Sequence, residues 1–87
     1  MTDITLEVLT SPGCIHCDDF LAFWETISGE WPNVTLSELS IGTTEGQALA
    51  RKHQIFASPG VILGGELIAS GGINKAKFIE KLRVLSA

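Results

Sequence analysis

Residues 4–17 read ITLEVLTSPGCIHC, and the change of pattern inside this stretch constrains the fold more than any other feature of the chain. Ile4, Leu6 and Val8 alternate with Thr5 and Glu7, the period of two that belongs to a strand with one buried face. The alternation then meets Ser11-Pro12-Gly13, a turn signal. Beyond Cys14 the period changes: Phe20, Trp24 and Ile27 recur at helical spacing, with Leu21 and Phe23 widening the stripe. A strand thus passes through a tight turn into a helix. The chain's two cysteines, Cys14 and Cys17, sit two residues apart at that junction.

Turn residues divide the rest of the chain. The first helix is expected to stop near Gly29, and Trp31-Pro32-Asn33 reads as a turn. VTLSELSI, residues 34–41, is a second strand whose apolar phase slips at Glu38-Leu39. Thr43 or Thr44 caps a helix reaching about His53, anchored by Leu49 and weakened by Gly46. PGVILGGELIAS, residues 59–70, is two short strands around Gly64-Gly65, a good two-residue hairpin turn. Asn74 caps a last helix with Phe78, Ile79, Leu82 and Leu85 on one face. The order is β-α-β-α-β-β-α, without linker, repeat or low-complexity segment, so residues 1–87 are expected to form one α/β domain. Helical crossovers predict that the first three strands are parallel, and the hairpin makes the fourth antiparallel.

Composition excludes several classes of function. With 45% apolar and 18% charged residues the chain has ordinary globular usage. Ten acidic against six basic residues give a net charge of -4 with no basic cluster, which argues against a nucleic-acid partner. MTDITLEVLT lacks the cationic segment and apolar run of a secretory signal. No apolar run approaches the ~18–20 residues of a membrane span. The expectation is a cytoplasmic protein with no membrane partner, working as a monomer.

The cysteine pair admits three readings: a metal site, a static bridge, or a redox couple. A closed zinc site needs four ligands, and two cysteines with two histidines, His16 and His53, are all the sulfur and imidazole the chain offers. A bridge across two intervening residues closes a tiny loop and constrains the unfolded chain little. Redox exchange fits the placement best. At a helix start, unsatisfied N–H groups and the helix dipole favour an anion, which lowers the pKa of the first thiol. The second lies one turn inside, within reach of a mixed disulfide formed by the first. Cys14 is therefore the expected nucleophile and Cys17 the resolving thiol. Exposed at the same helix start, Ile15 is expected to leave an apolar rim suited to a protein or peptide disulfide.

Together these residues resemble the thioredoxin/glutaredoxin superfamily, over essentially the whole chain. The likeness rests on Cys14-Ile15-His16-Cys17 after a strand, on Ser58-Pro59 before the hairpin, and on the order of elements. It implies a thioredoxin-like fold of the short, glutaredoxin-sized kind, with a four-stranded mixed sheet and helices on both faces. It also implies thiol–disulfide oxidoreductase activity with no bound cofactor, carried by a redox-active Cys14–Cys17 disulfide. In that family the proline facing the disulfide is cis, and the residue before it pairs its backbone with an extended substrate. By resemblance, Pro59 is that proline and Ser58 that contact; cis bonds are in any case nearly confined to X-Pro. The partners implied are protein or peptide disulfides and dithiols, with a thioredoxin-reductase-type protein or glutathione as electron donor.

The sequence also departs from the family's best-known patterns. Where thioredoxins carry a buried aspartate six residues before the first cysteine, this chain has Val8, and their Trp-Cys-Gly-Pro-Cys is absent. Where glutaredoxins place a lysine three residues before the first cysteine, this chain has Ser11, and the tyrosine of Cys-Pro-Tyr-Cys is His16. Gly71-Gly72-Ile73-Asn74 is similar to the Gly-Gly helix start that holds a glutathione carboxylate in glutaredoxins, but lies two residues further from Pro59. His16 resembles the histidine before the second cysteine of protein disulfide isomerases and the bacterial periplasmic dithiol oxidase. Its imidazole is expected to donate a hydrogen bond to the Cys14 thiolate, against the opposing charges of Asp18 and Asp19. The disulfide would then be more oxidising than that of thioredoxin. Two rival readings are a glutathione-linked glutaredoxin and a non-catalytic redox-sensing or metal-binding adaptor.

Overall fold

Alternation in β1 (Ile4–Thr10) places Ile4, Leu6 and Val8 on one face, where all three are buried. The other elements are α1 (Ile15–Ile27), β2 (Val34–Ser40), α2 (Thr44–His53), β3 (Gly60–Leu63), β4 (Glu66–Ser70) and α3 (Lys75–Ser86). A 3₁₀ turn at Ser28–Glu30 follows α1. The computed structural model describes residues 2–87. The strands form one mixed sheet in the order β2-β1-β3-β4.

One expectation is overturned. β1 and β2 are parallel, in register from Ile4↔Val34 to Thr10↔Ser40, but β3 runs antiparallel to β1, with Leu9 opposite Gly60. The first three strands are therefore not all parallel. The chain leaves β2 at the end of the sheet that also holds Thr10, fixed there by the Ile41 N–H on the Thr10 carbonyl. α2 then crosses the sheet, seating Leu49 with Leu9 and Ile62, and delivers β3 at that same end. A crossover helix makes its strands parallel only when it returns the chain to the opposite end. This ten-residue helix runs across instead.

Helices on both faces build two apolar clusters. On one face Phe20 and Trp24 of α1 and Phe78 and Leu82 of α3 cover Ile4, Leu6, Val8, Val61 and Leu63. On the other, α2 covers Leu9 and Ile62, with Leu39, Ile55 and Leu67 at its margin. This division explains the phase slip in β2. Val34 packs into the first cluster and Leu39 into the second, because different helices cover the two faces at the strand's two ends. Trp24 is a core residue, and Trp31 packs half-buried against the same cluster.

Local signals set the boundaries. Asn74 Oδ1 accepts from the Lys77 N–H and Thr43 Oγ1 from the Gly46 N–H, each supplying a helix N-cap. Gly64 and Gly65 take φ of 60° and 85°, the left-handed pair that a tight hairpin turn requires. Gly46 reads as a flaw in the helix from sequence, yet the structure requires it. A Cβ there would run into the backbone carbonyl of Ser40. Gly46→Ala gains about 1 kcal/mol of helix propensity but meets a backbone atom that cannot yield, an overpacking cost of about 1–3 kcal/mol. The variant should melt below the wild type by several degrees in a circular-dichroism scan. An alanine variant of equal or higher Tm would show that Ser40 and α2 separate freely.

Candidate active site

The turn at residues 11–14 delivers Cys14 to the N-cap of α1, in extended conformation, with its sulfur accepting from the Cys17 N–H at 3.1 Å. One orphan amide of the helix start thus points at Sγ, the arrangement that favours negative charge there. Cys14 and Cys17 are joined as a disulfide, with Cα atoms 5.2 Å apart. Cys14 is half-buried whereas Cys17 is 2% exposed, so the two sulfurs differ sharply in access.

The start of β3 meets the disulfide from the far side of the chain. The Ser58–Pro59 peptide bond is cis, and Pro59 is fully buried. Its carbonyl accepts from the Gly71 N–H at 3.0 Å, which ties it to the end of β4. Ser58 Oγ lies 3.4 Å from Cys14 Sγ as donor, and 2.7 Å from Ser11 Oγ. Sequence reading assigned Ser58 a backbone contact and gave Ser11 no role. The hydroxyl pair joins residues 47 positions apart, and no local pattern reports such a contact.

The polar contacts on Cys14 Sγ are therefore the Cys17 amide and the Ser58 hydroxyl. His16 is exposed and its imidazole makes no hydrogen bond among the described residues; it borders an open groove of about 660 Å³ between α1 and the Gly71–Lys75 segment. Asp18 and Asp19 are exposed as well. Val8 is completely buried, and no polar or charged residue is buried among the described residues, so the buried carboxylate position is filled by an apolar side chain. Two apolar side chains are exposed in the segments that form the site: Ile15 at 73%, next to Cys14, and Phe56 at 92% in the loop before Pro59. Phe56 borders a smaller pocket with Ile41, Ile55 and Ser58. In the sequence Phe56 is marked only as an aromatic three residues before Pro59. Among the described residues there is no group of three or more His, Cys, Asp or Glu side chains that could hold a metal ion, and no helix long and apolar enough to cross a membrane.

Sheet order, crossing helix and disulfide at a strand-to-helix junction define a redox-active α/β protein of the dithiol class. A family model described as a thioredoxin domain matches residues 4–83. The chain is 26% identical over 83 residues to a thioredoxin from Methanocaldococcus jannaschii, covering 95% of this chain and 96% of that one. It is similar in fold to oxidised thioredoxin O2 of Arabidopsis thaliana, with a TM-score of 0.76 at 18% identity over 99% of this chain and 77% of the other. Oxidised mitochondrial thioredoxin 3 of Saccharomyces cerevisiae gives a TM-score of 0.75 at 19% identity, over 98% and 81% of the two chains. This chain belongs to the thioredoxin family. It is a thiol–disulfide oxidoreductase whose redox group is its own Cys14–Cys17 disulfide.

Proposed function

We propose that the protein exchanges disulfides with protein or peptide substrates, Cys14 attacking and Cys17 resolving. The difference in access between the two sulfurs carries this reading, since an incoming disulfide reaches only the half-buried one. In the reducing direction the Cys14 thiolate attacks one sulfur of the substrate, forming a mixed disulfide and releasing the other as a thiolate that takes a proton from solvent. Cys17 then attacks Cys14 Sγ, closing the internal disulfide and expelling the second substrate sulfur. With no buried carboxylate at Val8, the proton that Cys17 loses passes to that departing thiolate. Two electrons move from the dithiol to the substrate, and a reductase-type protein or glutathione restores them.

Ser58 and Pro59 support the substrate-binding part of this reading. The Ser58 side chain reaches Cys14 Sγ from just ahead of β3, and in this reading its backbone pairs with an extended substrate chain. Ile15 beside Cys14 and Phe56 two residues before Ser58 offer exposed apolar surface, which suits side chains on either side of a substrate cysteine. His16 is a thiolate-tuning group in this reading, its imidazole donating to the Cys14 thiolate of the reduced protein. A cytoplasmic setting fits a couple that is recycled by a reductant.

Insulin reduction, driven in turn by a thioredoxin reductase and by glutathione, tests the reading and identifies the donor. Absence of turnover with either would remove it in favour of a non-catalytic adaptor. Phe56→Ser should raise KM for the protein substrate about fivefold to tenfold, the burial lost being about 1–1.4 kcal/mol of apolar contact, and should affect a small aromatic disulfide much less. Equal effects on both substrates would place Phe56 outside the docking surface.

A further inference from the structure

We propose that Ser58 and Ser11 form a hydroxyl relay to the reactive sulfur: Ser58 donates to Cys14 Sγ and holds negative charge on it, while Ser11 positions Ser58. The inference rests on Cys14 being the exchanging thiol. Ser58 Oγ stands 3.4 Å from Cys14 Sγ and 2.7 Å from Ser11 Oγ. A serine hydroxyl has one proton to give. When the proton of Ser58 is on the sulfur, the bond between the two serines must be made by the proton of Ser11. The direction is then fixed, from Ser11 to Ser58 to Cys14.

Ionisation of Cys14 strengthens each link. A hydrogen bond to an ionised acceptor is about twice as strong as a neutral one, and consecutive bonds polarise one another. Both serines are half-buried, so water competes less for their protons than it would on an open surface. The surroundings leave the hydroxyls much of the work. Segments 9–13 and 54–60, which bring the two serines to the sulfur, contain no charged side chain. The charged groups near the start of α1 are Asp18 and Asp19 on that helix and Lys75 at the start of α3, all exposed to screening, as is the imidazole of His16. Ser58 touches the reacting atom and is catalytic in that sense; Ser11 acts only through Ser58.

The test is the Cys14 pKa, read from ultraviolet thiolate absorbance, together with the dithiol–disulfide equilibrium against glutathione. Ser58→Ala should raise the pKa by about one unit, a tenfold loss of thiolate at neutral pH, and should make the disulfide less oxidising. Ser58→Thr keeps a hydroxyl and should keep the wild-type value. Ser11→Ala should shift the pKa in the same direction by less, and should add nothing in a Ser58→Ala background. An unchanged pKa in Ser58→Ala, a threonine variant that behaves like alanine, or additive shifts for the two serines would each overturn the relay. Brief alkylation with peptide mapping separates this failure from that of the underlying reading. Cys14 labelled first keeps the nucleophile assignment whatever the serines do, whereas Cys17 labelled first removes it.

Discussion

Cys14→Ser should reduce disulfide exchange to background, and Cys17→Ser should stop the reaction one step later with the substrate still attached. The first effect is a loss of several orders of magnitude, because a serine hydroxyl at neutral pH carries almost none of the anionic character that a thiolate brings to this displacement. The second follows from geometry. Cys17 is 2% exposed and lies next to Cys14 across one helical turn, so it meets the mixed disulfide without meeting free substrate. With Cys17 replaced, the adduct on Cys14 has no internal thiol to displace it. Intact-mass spectrometry of Cys17→Ser mixed with a protein disulfide should show a stoichiometric adduct that dithiothreitol removes. Peptide mapping should place it on Cys14. Comparing all variants in reduced form keeps the lost bridge out of the stability of the starting state. Full turnover by Cys17→Ser without added thiol would assign resolution to a group outside the pair.

Much of this chain is legible in its residues because the signals are local. A period of two gives way to helical spacing at Cys14; Asn74 and Thr43 cap their helices; Gly64-Gly65 turns the hairpin. Each involves groups within a few positions, where sequence and geometry are nearly the same information. What was not legible depends on distant parts of the chain. The direction of β3 is set by where α2 sets the chain down, and a short buried strand such as Gly60–Leu63 reads alike in either direction. Gly46 looked like a helix defect because propensity counts only the helix, whereas its neighbour is the Ser40 carbonyl. The same holds at the site. Cys14 and Cys17 declare themselves by spacing, but the donor beside Cys14 Sγ comes from Ser58, 44 residues away. His16, adjacent in sequence to Cys17, points attention to itself and makes no hydrogen bond among the described residues in the oxidised protein.

That contrast bears on how the potential of the disulfide is set. A charge on an exposed imidazole is screened by salt, with a Debye length of about 8 Å at physiological ionic strength, whereas a half-buried hydroxyl in contact with the sulfur is not. If the serines dominate, the potential should respond weakly to salt.

The largest effect on stability should come from Phe78→Ala, at the centre of the α1–α3 face. Phe78 is 1% exposed and meets Phe20, Phe23 and Trp24 edge-on, with ring centroids 5.3, 6.0 and 6.1 Å away. Truncating a buried phenylalanine costs about 3–5 kcal/mol from lost transfer energy and the cavity left behind. Here three edge-to-face contacts go with it. A chain of this size has about 4–13 kcal/mol of stability in all, so one substitution removes about a quarter of it at the least. The melting temperature should fall by about 15–30 °C, while Phe78→Leu, which keeps most of the volume but not the ring contacts, should lower it by clearly less. Function is coupled to this packing through α1. Phe20, Phe23 and Trp24 belong to the helix whose first turn presents Cys14, so α3 holds the active-site helix against the sheet. Below its own melting temperature, the alanine variant should retain the exchange chemistry with a lower Cys14 thiolate fraction, as α1 loosens and its first amides point less well at the sulfur. A Phe78→Ala protein that melts within a few degrees of wild type would mean that α3 contributes little to the fold, and that α1 is fixed by the sheet alone.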